Sequence, residues 1–420
     1  MDEEARKIDP ILFLPVHSSV KSLCFISRKD GDPVWRNDVG ASRDGDSEDD
    51  DCEIKFRSDR LLKGNGNFSC SNNVRSLLNG RLIASCHKDG KAVLWDVKDQ
   101  KELATISSRD GPGLAIRRTS DPTQLLFQSR DPKGIVSLHS VERMTAINPI
   151  RQYETYSRTF CQAAPCYGNK NLLALPSLDD STVTVVDERT DTDVAKIKIE
   201  GHGMLTSLAF CTTTCTSDCV GRPILACGME SGTVTFVDLS YCSKLSSGAT
   251  FSLGKDPLLT LDMMPSLTSS GTSSVIVAAG MAGDSEEVSK LDSAEAGRAS
   301  LFKMTFDHDL SKPKWTFKER ARLTTCRVDR EQFCGKPGVS ICRFRDDGRL
   351  LALGGWDYRV RLFERSKGNA MAILKGSESS ISCLDWSPDG SKSGLLASAS
   401  ESDNFISIWH CFPKDMTHLL

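Results

Sequence analysis

Gly338 to Phe363, GVSICRFRDDGRLLALGGWDYRVRLF, is the stretch against which the rest of the chain is read. A short alternating run through Val339, Ile341 and Arg343 leads into a polar turn at Asp346, Asp347 and Gly348. A second run at Leu350 to Leu353, a Trp356-Asp357 turn and a third run at Val360 to Phe363 follow. Apolar residues at period two, punctuated by Asp and Gly, are the signature of strands joined by tight turns, so this stretch predicts three antiparallel strands.

The same layout returns at Ser380 to Trp409 (ISCLDWSPDG, LLASAS, FISIWH) and, far upstream, at Leu82 to Val97 (LIASCHKDGKAVLWDV). Each copy places an aspartate ahead of an aromatic by the same interval: Asp89 and Trp95, Asp357 and Phe363, Asp403 and Trp409. These copies resemble the WD40 repeat, which implies an all-β fold, a propeller whose blades each add a slice of core.

Counting copies sets the architecture. Blade one runs from Val20 to about Ile106, and weaker copies occupy Leu114 to about Ala146, Phe160 to Ile199, Met204 to about Phe251 and Leu258 to Phe317. The two clear C-terminal copies make seven, so residues 1–420 are expected to form a single seven-bladed WD40 β-propeller. Only CFPKDMTHLL follows Trp409, which leaves the last copy short of a fourth strand. Ile11 to Leu14 is the apolar run expected to supply it, closing the ring and removing two exposed sheet edges. Seven copies need about 300 residues, so about 120 must be insertions. Residues 28–79, with RDGDSEDDD and GNGNFSCSNN, are too polar to bury a core and are expected to form a disordered acidic loop in blade one. Residues 281–299 are expected to interrupt blade five, with room for a short helix, and Glu319 to Pro337 to link blades five and six.

Composition narrows the function classes. The net charge of -3 gives no global attraction to nucleic acid or acidic membranes. No run approaches the roughly 18 apolar residues of a membrane helix, and MDEEARK carries no signal-peptide core. The 16 cysteines form no regular framework and read as reduced thiols of a cytoplasmic or nuclear protein.

Few constellations carry chemistry. The WD40 resemblance implies a buried hydrogen-bonded chain formed by His17, Ser85, Asp89 and Trp95. A His-Ser-Asp set also suits a hydrolase, but no G-x-S-x-G elbow surrounds Ser85. Cys211, Cys215 and Cys219, with His202 and Cys227 flanking, offer an incomplete zinc set or, more simply, loop cysteines. No phosphate loop, dinucleotide fingerprint or H-E-x-x-H motif occurs, so neither catalysis nor a cofactor is expected. Trp356, Tyr358 and Arg359 have the composition of a binding hot spot. Alternatively Trp356 folds back on its own blade, and Arg359 and Arg361 line a solvated strand face. Ser47, in DGDSEDDD, suits an acidophilic kinase and could offer a phosphopeptide to a basic reader.

Asp346 to Leu374 (DDGRLLALGGWDYRVRLFERSKGNAMAIL) and SPDGSKSGLLASASESDNFISIWHCFP resemble the guanine nucleotide-binding protein subunit beta-like protein 1 family, called ASTRA-associated protein 1 in fungi. The resemblance rests on Gly354 to Arg361 and on the Phe412-Pro413 ending. It implies a non-catalytic scaffold working with the TTT co-chaperone complex on phosphatidylinositol 3-kinase-related kinases, linked in fungi to chromatin remodelling through ASTRA. A monomeric propeller within a larger complex is then expected. The alternative, a G-protein beta-like signalling subunit, calls for a long N-terminal helix, whereas about ten residues precede the first expected strand.

Overall fold

Alternating runs of the kind seen at 339–363 become seven antiparallel meanders in the computed structural model of the chain. The described residues span 6–412 except 9, 11, 17–19, 27–81, 98, 108–110, 122, 131–132, 142–148, 167–170, 214–220, 242–247, 268–272, 284–295, 308–313, 327–337, 389–393 and 401. The acidic insert and Ser47 therefore lie outside them, as does most of the blade-five insert.

Two short strands, β1 (Arg6–Ile8) and β2 (Leu12–Pro15), come first. Blade one is Val20–Ile26, Leu82–His87, Lys91–Asp96 and Lys101–Ser107 (β3 to β6). Blade two is Gly113–Arg118, Gln124–Ser129, Ile135–Ser140 and Arg151–Glu154 (β7 to β10). Ala164–Pro165, Leu172–Pro176, Thr182–Asp187 and Thr192–Lys198 form blade three (β11 to β14). Leu205–Thr212, Pro223–Met229, Thr233–Asp238 and Gly248–Ser252 form blade four (β15 to β18). Blade five is Leu258–Leu267, Ser273–Met281, Ala296–Asp307 and Lys314–Cys326 (β19 to β22). Blade six is Val339–Phe344, Leu350–Gly355, Arg359–Glu364 and Ala370–Lys375 (β23 to β26), and blade seven contributes Ile381–Trp386, Leu395–Ser400 and Phe405–His410 (β27 to β29). We letter the strands of each blade a to d from the central channel outward. The a strands of successive blades pack on one another around that channel, as β27, β3 and β7 do.

β2 completes blade seven. It pairs antiparallel with β29, Leu12 opposite Ile408 and Leu14 opposite Ile406. Phe13 meets Phe405 edge-on, with ring centroids 4.9 Å apart, and the Val16 amide donates to the Asn404 carbonyl at 2.8 Å. The expected ring closure by an N-terminal strand is thus the observed one. Sequence did not foretell β1, which lies parallel to β26 and gives blade six a fifth strand. Three residues are too few to show a period.

The apolar faces pack blade against blade. Ile83, Val93 and Trp95 of blade one share a cluster with Leu384, Trp386, Leu396 and Trp409 of blade seven. Close approach demands small residues where strand b meets the next blade: a Cβ on Gly354 would lie 2.7 Å from the Ile381 side chain. Blade five differs from expectation. β22 continues to Cys326, so much of the segment expected to link blades five and six is strand. Its run KERAR hides the alternation because a bulge between Leu301 and Phe302 leaves Arg320 without a cross-strand partner.

Candidate interaction face

Loops joining strands b to c, and each d to the next a, emerge on one end of the propeller. Acidic residues in the b–c turns fasten that end. In blade seven the Asp403 carboxylate accepts the Glu378 amide at 3.1 Å, tying the b–c turn to the preceding d–a loop. Glu230 performs the same task in blade four, accepting the Met204 amide at 3.3 Å. In blade one, Asp89 accepts the Lys91 amide at 3.2 Å and pairs with the Lys91 ammonium at 3.1 Å. Burial raises the Asp89 carboxyl, but its bonds to Lys91 outweigh that and hold it below the usual range.

The candidate hydrogen-bonded chain of blade one divides. Trp95 Nε1 donates to Ser85 Oγ at 2.7 Å, and both side chains are buried. His87 Nε2 lies 2.7 Å from the same hydroxyl, in the place expected for His17, which falls outside the described residues. Residues two apart on a strand share a face, so Ser85-x-His87 held this contact in plain view. Blade two repeats it, Ser137 Oγ lying 2.9 Å from His139 Nε2. Blade seven repeats the indole contact, Trp409 Nε1 donating to Ser398 Oγ at 2.7 Å.

Blade six corrects one expectation. Arg361 does not line a solvated face: it is 6% exposed and grips Asp357 through two hydrogen bonds of 3.0 and 2.6 Å. Trp356, Tyr358 and Arg359 are each half-buried. The Trp356 amide donates to the Gly338 carbonyl at 3.0 Å, and its indole lies so close over Gly338 that a Cβ there would sit 2.6 Å from the ring. The indole is therefore folded against its own blade, with Tyr358 beside it in a left-handed conformation (φ 69°).

The most exposed large apolar side chains on this end lie elsewhere. In TYSRTFC, Thr155 to Cys161, the odd-numbered residues are buried and Tyr156, Arg158 and Phe160 face solvent. Hydroxyls secure the buried side: Thr155 Oγ1 donates to the Gly134 carbonyl at 2.6 Å, and Ser157 Oγ lies 3.1 Å from Thr159 Oγ1. Phe160 is 65% exposed, with the Arg130 guanidinium 3.8 Å from its ring centroid. Leu178 and Met204, in the neighbouring b–c and d–a loops, are also exposed. Sequence reasoning passed over this segment because its alternation is polar within and aromatic without, the reverse of a core strand.

The opposite end of the channel holds titratable groups too distant in sequence to be assembled by reading. Arg118 Nη2 lies 3.5 Å from Asp385 and its Nη1 4.0 Å from Asp346. Burial raises the Asp346 carboxyl to about 6, aided by the neighbouring Asp385 and opposed by Arg118. Of the cysteines weighed for zinc, Cys211 and Cys227 are buried within strands, where burial raises their thiols, and Cys215 and Cys219 fall outside the described residues. Among the described residues no group of three His, Cys, Asp or Glu could hold a metal, and no helix is long and apolar enough to cross a membrane.

Residues 368–410, covering the end of blade six and nearly all of blade seven, match the WD domain, G-beta repeat. Together with the seven four-stranded blades, that match decides the type. The chain is a WD40-repeat propeller. It is 24% identical over 338 residues to the guanine nucleotide-binding protein subunit beta-like protein 1 of Mus musculus, covering 79% of this chain and 88% of the mouse protein. Its fold is similar to the β-propeller domain of Cps50 (Swd1) from Myceliophteria thermophila, with a TM-score of 0.54 and 14% identity, over 80% of this chain and 94% of that one. WD40 propellers mediate protein–protein contacts.

Proposed function

We propose that this protein is a non-catalytic interaction scaffold that works with the TTT co-chaperone complex in the maturation of phosphatidylinositol 3-kinase-related kinases, in the cytoplasm, the nucleus or both. The observation that carries the scaffold reading is the rigid presentation of Tyr156, Arg158 and Phe160 on the face of b–c and d–a loops. Exposed aromatics with arginine are the composition of a binding hot spot, and a segment already held by its buried hydroxyls loses little entropy on docking. Tyr358 and Arg359, on the same end of the propeller at blade six, extend the proposed surface, whereas the Trp356 indole is taken up in packing over Gly338. The co-chaperone reading draws on the resemblance of residues 346–413 and on likeness to the mouse protein. Fold alone does not fix function, so partner recovery is the test.

Affinity purification of the full chain with mass spectrometry should recover co-chaperone subunits and their kinases. Recovery should fall with Tyr156→Ala and Phe160→Ala at unchanged melting temperature. The name of the mouse relative favours a second reading, a G-protein beta-like subunit. Recovery of a gamma-type subunit in place of co-chaperone subunits would select it.

A further inference from the structure

The outer edge of blade five carries cations that crowd one another. Lys303 of β21 sits directly opposite Lys318 of β22, a like-charge cross-strand pair that weakens the sheet it belongs to. Arg320, the residue extruded by the bulge, adds a third charge on the same hairpin. The c–d turn of blade six closes on this strand: a Cβ on Gly368 would lie 2.5 Å from Ala321 Cβ. That turn places Arg365 near Arg320 and carries the exposed Lys367. Among the described residues none of these five cations has a carboxylate within ion-pair distance, while Arg322 nearby is matched by Glu319 at 2.8 Å. Their crowding shows in their acidities: burial and the neighbouring Arg320 and Lys318 lower Lys303, and burial and Arg320 lower Arg365.

β22 is also an open edge. It is the longest outer strand, 13 residues, and ends its sheet, with no described strand on its far side. The adjacent blade shows what such an edge accepts, since β26 carries β1 as a fifth strand.

We propose that the outer edge of β22 takes up an acidic extended segment of a partner protein as a fifth strand, its carboxylates facing Lys318, Arg320, Lys303, Arg365 and Lys367. Main-chain bonds give such an added strand its affinity, and side chains at every second position give it specificity. A peptide suits the site better than a nucleic acid. The cations cover one hairpin and one turn beside a backbone edge with no described partner strand, and a chain of net charge -3 does not draw polyanions at long range. This surface lies on the rim, apart from the face bearing Phe160, so its fate is independent of the function proposed above.

The test uses the full-length protein, fluorescence anisotropy at low ionic strength and a labelled synthetic peptide of alternating glutamate and valine. Saturable binding is expected, weakened about tenfold by Lys318→Glu with Arg320→Glu. A peptide N-methylated along one edge should bind far more weakly, because it cannot complete the ladder. Melting of the double variant controls for folding and should be unchanged or raised, since repulsion is relieved; Lys303→Gln serves as a second, milder variant. Four results would each overturn the proposal: no saturable binding, equal affinity for the variants, unchanged binding of the N-methylated peptide, or equal affinity for a single-stranded oligothymidylate.

Discussion

The guanidinium of Arg345 donates to the main-chain carbonyl of Phe412 at 2.7 Å, fastening the a–b turn of blade six to the chain leaving blade seven. Arg345 is 1% exposed, donates also to the Cys411 carbonyl at 3.3 Å and pairs with Asp347 at 2.7 Å. Its guanidinium stands 5.7 Å from the centroid of the Trp386 ring. Removing one partner of a buried pair leaves the others unsatisfied, at about 3 kcal/mol or more. Arg345→Met should therefore lower the urea midpoint markedly, and Arg345→Lys should rescue little, since an ammonium cannot serve the carboxylate and two carbonyls in fixed directions. Full stability in the lysine variant would show that charge alone suffices.

Ring closure makes a second prediction. Leu14 is fully buried and faces Ile406 across the seam between β2 and β29. Leu14→Ala should cost about 3 kcal/mol by cavity formation. Deleting residues 1–15 should cost more, because it unpairs the whole of β29's outer edge as well. A truncated protein that melts within about 1 °C of the intact one would deny β2 its structural role.

Much of this architecture was legible, for reasons that differ strand by strand. The a, b and c strands of blades six and seven announce themselves because they are short, largely buried apolar runs separated by Asp and Gly turns. Ile11 to Leu14 was readable as the missing strand because the last blade was one short. The outer strands were not: β18 alternates exposed and half-buried residues, and β22 carries charges where an inner strand carries valines. Contacts at the mouth of the channel, such as Arg118 with Asp385, depend on ring closure and have no local signal. The turn at Trp356 was read as a choice between surface and packing, and only the position of Gly338 beneath the indole separates the two.

Trp356 yields a third prediction. Half-buried over Gly338, the indole should contribute about 2 kcal/mol of packing, so Trp356→Ala lowers the melting temperature. Gly338→Ala should destabilise too, because its new Cβ collides with the ring. Residues in contact are not additive, and the collision vanishes when the ring is gone. The double variant should thus be less destabilised than the sum of the two singles. Strict additivity would mean that the indole does not rest on Gly338.

The last prediction concerns acid. His139 is 6% exposed within β9, beside Ser137 and edge-on to the Phe127 ring at 6.4 Å. Burial lowers its imidazole from 6.5 to about 4. Between those values the unfolded chain takes up a proton that the folded chain refuses, so stability rises with pH. The contribution is complete above about 6.5 and is lost as the pH falls toward 4, a loss of about 3 kcal/mol at 1.36 kcal/mol per pH unit. His139→Gln has no proton to gain. Urea midpoints compared between pH near 7.5 and near 4.5 should therefore fall further in the native protein than in the glutamine variant. Equal falls in the two proteins would mean that His139 accepts its proton without opening blade two.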